Sequence, residues 1–181
     1  MKQIIHKIFH RMKQDSLAKK TAGKRRTKQY PDLHAIKSCL VVWCANDRQE
    51  EYLKHLKKKL PQVKLDKICF LPEGSPAPSF RDVVCVKEEE LGFGGKILNE
   101  ELLALLDKEC DLLVDLSEES NVMIDYILGN SQAKCKAGMK KENFDADLMI
   151  DGVTGVSELI DKLFEVLAKY PGEYQRLSFN Q

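Results

Sequence analysis

Short apolar runs rich in β-forming residues alternate with helical patterns over residues 36–169, and this alternation limits the fold more than any other feature. The predicted order of elements is β-α-β-β-α-β-α-β-β-α. Strands that alternate with helices form largely parallel sheets covered by helices on both faces. We therefore predict a single three-layer α/β domain with a Rossmann-like or flavodoxin-like sheet.

The boundaries of these elements follow from apolar periodicity and from capping and turn residues. The predicted strands cover residues 36–45, 63–71, 82–86, 111–116, 133–139 and 147–150, and the predicted helices cover residues 48–60, 100–108, 122–128 and 156–169. Asp47 and Glu50 have the spacing of a capping box for the first helix. No helical pattern separates the last two strands, which leaves open whether one of them is antiparallel.

Length and cysteine content narrow the class of protein. The 181 residues suffice for one domain with a sizeable core. No apolar run approaches the ~20 residues that span a bilayer, and charged residues interrupt the N-terminal apolar positions, unlike those of a signal peptide. The six cysteines lack the spacing of a zinc site, so we expect buried, reduced thiols in a cytoplasmic protein. No metal or cofactor is predicted.

A basic N-terminal segment, residues 1–30, precedes the predicted domain, residues 31–181. It contains ten lysines and arginines and one acid, a net charge of +9, so the rest of a chain with total charge +1 carries −8. Its first part, residues 2–20, has a helical pattern with Ile4, Ile5, Ile8 and Met12 on one stripe. Residues 21–28 show no periodicity and are predicted to be a linker. We call residues 1–30 the basic arm.

The charge of the basic arm suggests a partner. Its cations could neutralise the phosphates of RNA or DNA, or lie on an anionic membrane surface with the apolar stripe inserted. The candidate partner-binding residues of the arm are Lys19, Lys20, Lys24, Arg25, Arg26 and Lys28. Alternatively, the stripe packs on its own domain or on a second copy of the chain, a homodimer. Nucleic acid is favoured over membrane, and the acidic domain itself is not expected to bind it.

Several segments resemble a family of uncharacterised bacterial proteins that is catalogued as a domain of unknown function. The segments are 40–45, 94–99, 111–115, 131–138 and 147–150, with the sequences LVVWCA, GGKILN, DLLVD, SQAKCKAG and DLMI. The resemblance implies a basic N-terminal segment followed by an α/β domain. It implies no activity.

A glycine-rich segment, residues 92–96 with the sequence GFGGK, is a candidate anion-binding loop through Gly94, Gly95 and Lys96. Glycines let backbone N–H groups approach a phosphate at the start of a helix. However, the spacing fits neither the P-loop nor the dinucleotide-binding motif. A tight turn before a helix is the favoured interpretation.

Polar residues also follow the predicted strands at their carboxyl ends, where open α/β sheets bind ligands. They are Asn46, Asp47, Asp115, Ser117, Asn121 and Asp151. These side chains could hold Mg²⁺ or a sugar hydroxyl, although Asp47 and Ser117 equally suit helix capping. The leading hypothesis is a non-enzymatic protein whose basic arm mediates an interaction. The alternative is a ligand-binding module or enzyme for a nucleotide or sugar at this edge.

Overall fold

The computed structural model describes residues 26–170, except residues 73, 76–77, 79–80, 91, 93–95 and 142–145. Within these residues six strands are present: β1 (Ser38–Cys44), β2 (Lys64–Leu71), β3 (Val84–Lys87), β4 (Cys110–Asp115), β5 (Ala133–Met139) and β6 (Leu148–Ile150). The helices are α1 (Gln49–Lys59), α2 (Glu100–Asp107), α3 (Val122–Asn130) and α4 (Val156–Lys169). The predicted order of strands and helices is confirmed.

The six strands form one sheet in the order β3-β2-β1-β4-β5-β6, and every neighbouring pair is parallel. The prediction of a three-layer α/β fold is therefore confirmed. The open question about the last two strands is answered as well, because β6 pairs with β5 in parallel. This strand order is that of doubly wound dinucleotide-binding domains, in which the winding reverses between the first and fourth strands.

Both faces of the sheet are buried, as expected for parallel strands between helical layers. Helices α1 and α4 cover one face, and α2 and α3 cover the other. Trp43 of β1 is the largest fully buried side chain beneath α1, and its indole Nε1 donates a hydrogen bond of 2.9 Å to Oε1 of Gln49. The two apolar layers hold the strands in place, so the strand ends form the two polar edges of the sheet.

The two polar edges lie at opposite ends of the strands. The carboxyl edge is formed by the ends of the strands and the loops that come after them, and the amino edge by the strand starts. Helix α1 runs from the carboxyl edge to the amino edge because it joins the end of β1 to the start of β2.

The helix starts agree only in part with the predicted caps. Asn99 accepts a hydrogen bond from the N–H of Leu102 and caps α2 as predicted. The predicted capping box at Asp47 is wrong. Asn46 accepts from the N–H of Arg48 at 2.9 Å, and this turn delays the start of α1 to Gln49, so Asp47 lies in the turn before the helix.

The cysteines have the predicted state. All six are free thiols; four are buried, and Cys44 and Cys85 are partly exposed. In the part of the chain that the structure describes, no helix has both the length and the apolar content needed to cross a bilayer.

Candidate functional site

Three polar side chains meet at the carboxyl edge beside the point where the winding of the sheet reverses. Asp115 ends β4 and is fully buried, and its Oδ2 accepts a hydrogen bond of 2.7 Å from Nζ of Lys141, whose side chain is only 6% exposed. Its Oδ1 accepts from both the N–H and the hydroxyl of Ser117. Lys141 Nζ also donates to Oγ of Ser117 at 3.0 Å. We call Asp115, Ser117 and Lys141 the rim cluster.

The elements of the fold explain this convergence. The backbone N–H of Leu116 donates to the carbonyl of Val42 at 2.8 Å, so the chain leaving β4 stays paired with β1. The next residue, Ser117, then turns back onto Asp115. Lys141 follows β5, the strand beside β4, and so reaches the same carboxylate.

Two further titratable groups lie near the rim cluster. Burial, and after it the carboxylate of Asp115, raise the pKa of the Cys44 thiol to about 11. Burial also raises the pKa of Asp125 on α3, while Lys141 lowers it and Asp115 raises it. The Cys44 thiol is therefore protonated at neutral pH and is a poor nucleophile.

The other polar residues predicted for this edge serve local structure. Asn121 caps α3 by accepting from the N–H groups of Met123 and Ile124. Asp151 is largely exposed and pairs with Lys140 at 2.7 Å. Each of these contacts lies outside the rim cluster.

A shallow groove of about 890 Å³ follows the outer side of α1 from Asn46 and Asp47 to Lys58. Its lining includes cations such as Arg48 and acids such as Glu51, which pair with each other at 3.3 Å. The mixed charges give this groove no preference for an anionic or a cationic ligand.

The rim cluster can bind and orient, but its geometry does not favour catalysis. A serine–lysine nucleophile needs a neutral amine and access to substrate. Here Nζ of Lys141 is held by Asp115 and by Ser117 itself, and Ser117 is only 4% exposed. The main role of the cluster is therefore to join the loops after β4 and β5 through hydrogen bonds and an ion pair.

The candidate metal and anion sites gain no further support. Among the described residues, no group of three or more histidine, cysteine, aspartate or glutamate side chains is placed to hold a metal ion. Gly94 and Gly95 lie outside the described residues, and Lys96 is exposed. Gly92 donates its N–H to the carbonyl of Lys96 at 2.7 Å, ahead of α2.

Sequence reasoning overlooked Lys141. The residues predicted for the carboxyl edge follow β1, β4 and β6, but Lys140 and Lys141 follow β5 in the same manner. The sequence did contain a signal: lysines come directly after β5, and β5 lies beside β4, the strand that ends in Asp115.

The end of the basic arm lies at the opposite, amino edge. Lys19, Lys20, Lys24 and Arg25 lie outside the described residues. Arg26 Nη1 donates to the carbonyl of Lys134 at 2.8 Å, and its other terminal nitrogen pairs with the buried carboxylate of Asp147. Lys28 pairs with the same carboxylate at 3.2 Å.

Two further hydrogen bonds join residues 26–30 to β5 and to the residue just before β6. The N–H of Gln29 donates to the carbonyl of Lys134 at 3.0 Å, on the part of β5 that lies ahead of its pairing with β6. Tyr30 donates its hydroxyl to the carbonyl of Asp147 at 3.3 Å. The last five residues of the predicted arm therefore pack on the domain and fix where the rest of the arm begins.

At the amino edge, two acidic residues each form ion pairs with two cations. Asp147 pairs with Arg26 and Lys28, and Asp66 pairs with Lys64 and Lys108. Each such group keeps one positive charge in excess. The edge from which the basic arm leaves is thus locally basic although the domain as a whole is acidic.

Comparison with known proteins leaves the activity open. Neither the curated proteins nor the solved structures contain a match to this chain. The model of a family of unknown function matches residues 10–170, which is most of the chain and includes part of the basic arm. The resemblance noted in the sequence is confirmed at the level of the family, while a bacterial origin stays a prediction. The chain belongs to DUF6913, a family of unknown function.

Proposed function

We propose that this protein binds nucleic acid through its basic arm and that the α/β domain serves as the base from which the arm extends. The observation that carries the proposal is the charge distribution: +9 over residues 1–30 against −8 over the remainder, with the arm leaving from the locally basic amino edge. Arg26 and Lys28, the last two cations of the arm, lie at that edge. Polyanion binding is the use that best fits this arrangement.

The position of the cations supports nucleic acid over a membrane surface. Six of the ten cations, Lys19, Lys20, Lys24, Arg25, Arg26 and Lys28, follow the apolar stripe rather than flank it. Membrane binding by an amphipathic helix needs apolar residues beside the cations, whereas phosphate neutralisation needs only charge.

The test compares binding of a single-stranded oligouridylate and a mixed-sequence DNA duplex by fluorescence anisotropy over a range of salt concentrations. The variant is K19Q/K20Q/K24Q/R25Q, which leaves Arg26 and Lys28 in place because both hold the domain. We expect weaker binding and a logarithmic salt slope shallower by about 0.7 per lost contact to a single strand.

A matched control, K96Q/K140Q/K162Q, removes cations from the carboxyl-edge side of the domain and should bind as the unmodified chain does. Binding to phosphatidylserine vesicles without binding to either nucleic acid would replace this proposal with the membrane alternative. An unchanged salt slope in the arm variant would refute a role for the arm.

A second candidate function rests on the strand order. The reversal of winding between β1 and β4 creates the crevice in which such sheets bind nucleotides or sugars, and Asn46 and Ser117 flank it. The test is a thermal-shift screen of nucleotides, sugars and Mg²⁺ on the full chain. A ligand at about 100 times its Kd stabilises by about 2.7 kcal/mol, so the absence of any shift counts against this candidate.

A further inference from the structure

A groove lined by lysines lies between α1 and β2. It has a volume of about 380 Å³, and four lysines line it: Lys54, Lys57, Lys64 and Lys67. Leu53 and Leu65 form part of its floor. Among the described residues no helix joins β2 to β3, so this flank of α1 has no neighbouring helix beyond it. We call this feature the lysine groove.

The contacts of the groove lysines leave much of their charge uncompensated. Lys57 Nζ donates to the carbonyl of Val63 at 2.9 Å, and Lys67 Nζ donates to the carbonyl of Arg81 at 3.2 Å. Carbonyl oxygens satisfy a donor without cancelling its charge.

Carboxylates compensate the other two lysines only in part. Lys64 shares Asp66 with Lys108, and Lys54 pairs with Glu50 at 3.5 Å. The four groove lysines thus face two acids, Glu50 and Asp66, and Lys108 also takes part of the charge of Asp66. An excess of at least two positive charges remains on a domain whose net charge by sequence is negative.

The lysine groove and the end of the basic arm lie on the same side of the molecule. Lys64 begins β2, and Lys57 is in the last turn of α1, so both lie at the amino edge. Arg26 is anchored to Lys134 near the start of β5. The sheet order places β2 and β5 three strands apart, or about 14 Å at ~4.8 Å per strand.

We propose that the lysine groove is a second phosphate-contacting surface for the nucleic acid that the basic arm binds, an inference that rests on the proposed function. Flexible ammonium groups suit the phosphates of a single strand as point charges. Joining two weak sites by one chain strengthens binding without any new contact.

The experiment measures binding of a single-stranded oligouridylate to full-length K57Q/K64Q/K67Q across salt concentrations. Three lost contacts should lower the magnitude of the logarithmic salt slope by about 2, which corresponds to a loss of roughly 100-fold in affinity at 0.1 M salt. K57R/K64R/K67R keeps the charges and should retain the slope. K96Q/K140Q/K162Q removes three lysines elsewhere and should also retain it.

Each outcome decides between the two proposals. If the groove variant binds like the unmodified chain while the arm variant K19Q/K20Q/K24Q/R25Q loses affinity, the lysine groove is refuted and the arm proposal stands. If the unmodified chain does not bind the oligonucleotide, both are refuted. If K96Q/K140Q/K162Q loses as much as the groove variant, or the arginine variant does not retain binding, the effect is one of overall charge or folding and the groove inference fails.

Discussion

The buried ion pair between Asp115 and Lys141 provides the sharpest test of the structure. Both side chains are withdrawn from solvent, with exposures of 0% and 6%. The perturbation is Lys141→Met, which keeps most of the side-chain volume but removes the cation. Asp115 then keeps Ser117 as a hydrogen-bond donor but loses its counter-charge within a low-dielectric site.

The expected magnitude follows from the burial of both partners. Removing one member of a buried pair costs about 3–5 kcal/mol, since the remaining charge is left uncompensated. At a urea dependence of about 1–3 kcal/mol per molar, the midpoint of unfolding should fall by more than about 1 M. The neighbouring residue is a matched control, because Lys140 pairs with Asp151 while both side chains are mostly exposed.

The assay is equilibrium urea unfolding of the unmodified chain, K141M, K140M and the double variant D115N/K141M. K140M should leave the midpoint nearly unchanged. The double variant should recover part of the loss, because an amide at position 115 still accepts from Ser117 but carries no charge. Equal midpoints for K141M and K140M would refute the buried pair. A double variant as unstable as K141M would show that the loss comes from packing instead of the uncompensated carboxylate.

Three further predictions concern other parts of the domain. Burial raises the pKa of Asp111, but hydrogen bonds from the N–H of Lys37 and from Lys134 and Ser38 outweigh burial and lower the pKa overall. The ionised Asp111 therefore stabilises the folded protein at neutral pH, and this stabilisation is lost as the pH falls through the lowered pKa. D111N should therefore reduce the free energy of unfolding by about 1.5–3 kcal/mol at pH 7 and far less in strong acid, and an equal deficit at both pH values contradicts this. R26A removes the anchor at Asp147 and should accelerate tryptic cleavage after Lys28, followed by mass spectrometry; an unchanged rate argues against the anchor. Burial raises the pKa of all six cysteines. Iodoacetamide at neutral pH should therefore modify the cysteines of the folded protein slowly and those of the urea-unfolded protein fully. Rapid modification of the folded chain would overturn that expectation.

Apolar patterning predicted the fold because each strand and helix carries its own periodicity. The final helix, α4, was predicted with its observed ends, since its six buried residues recur on one face. The direction of β6 could not be predicted, because a three-residue strand contains no signal that distinguishes parallel from antiparallel pairing. Only its pairing with β5 in the folded sheet decides it.

The candidate site was less accessible to sequence reasoning. The rule that ligands bind at the carboxyl ends of strands placed Asp115 and Ser117 at the correct edge. The sequence pattern does not show that Lys141, 24 or more positions later, donates hydrogen bonds to both side chains. The cap at Asp47 failed for a related reason: the side chain of Asn46 accepts from the N–H of Arg48 in a turn, and α1 begins after Arg48 with no side-chain cap. Long-range pairing and local competition both require the three-dimensional arrangement.

Helix α4 has a consequence for the synthesis of the chain. It is the last described element, yet it covers the sheet face that contains Trp43 of the first strand, and it packs beside α1. During translation α1 covers only part of that face, and the rest stays open to water until α4 has left the ribosome, whereas α2 and α3 can already cover the other face. We therefore expect a ribosome-bound chain that lacks α4 to present one apolar face of the sheet, the surface that chaperones engage, and to complete its folding only after α4 emerges.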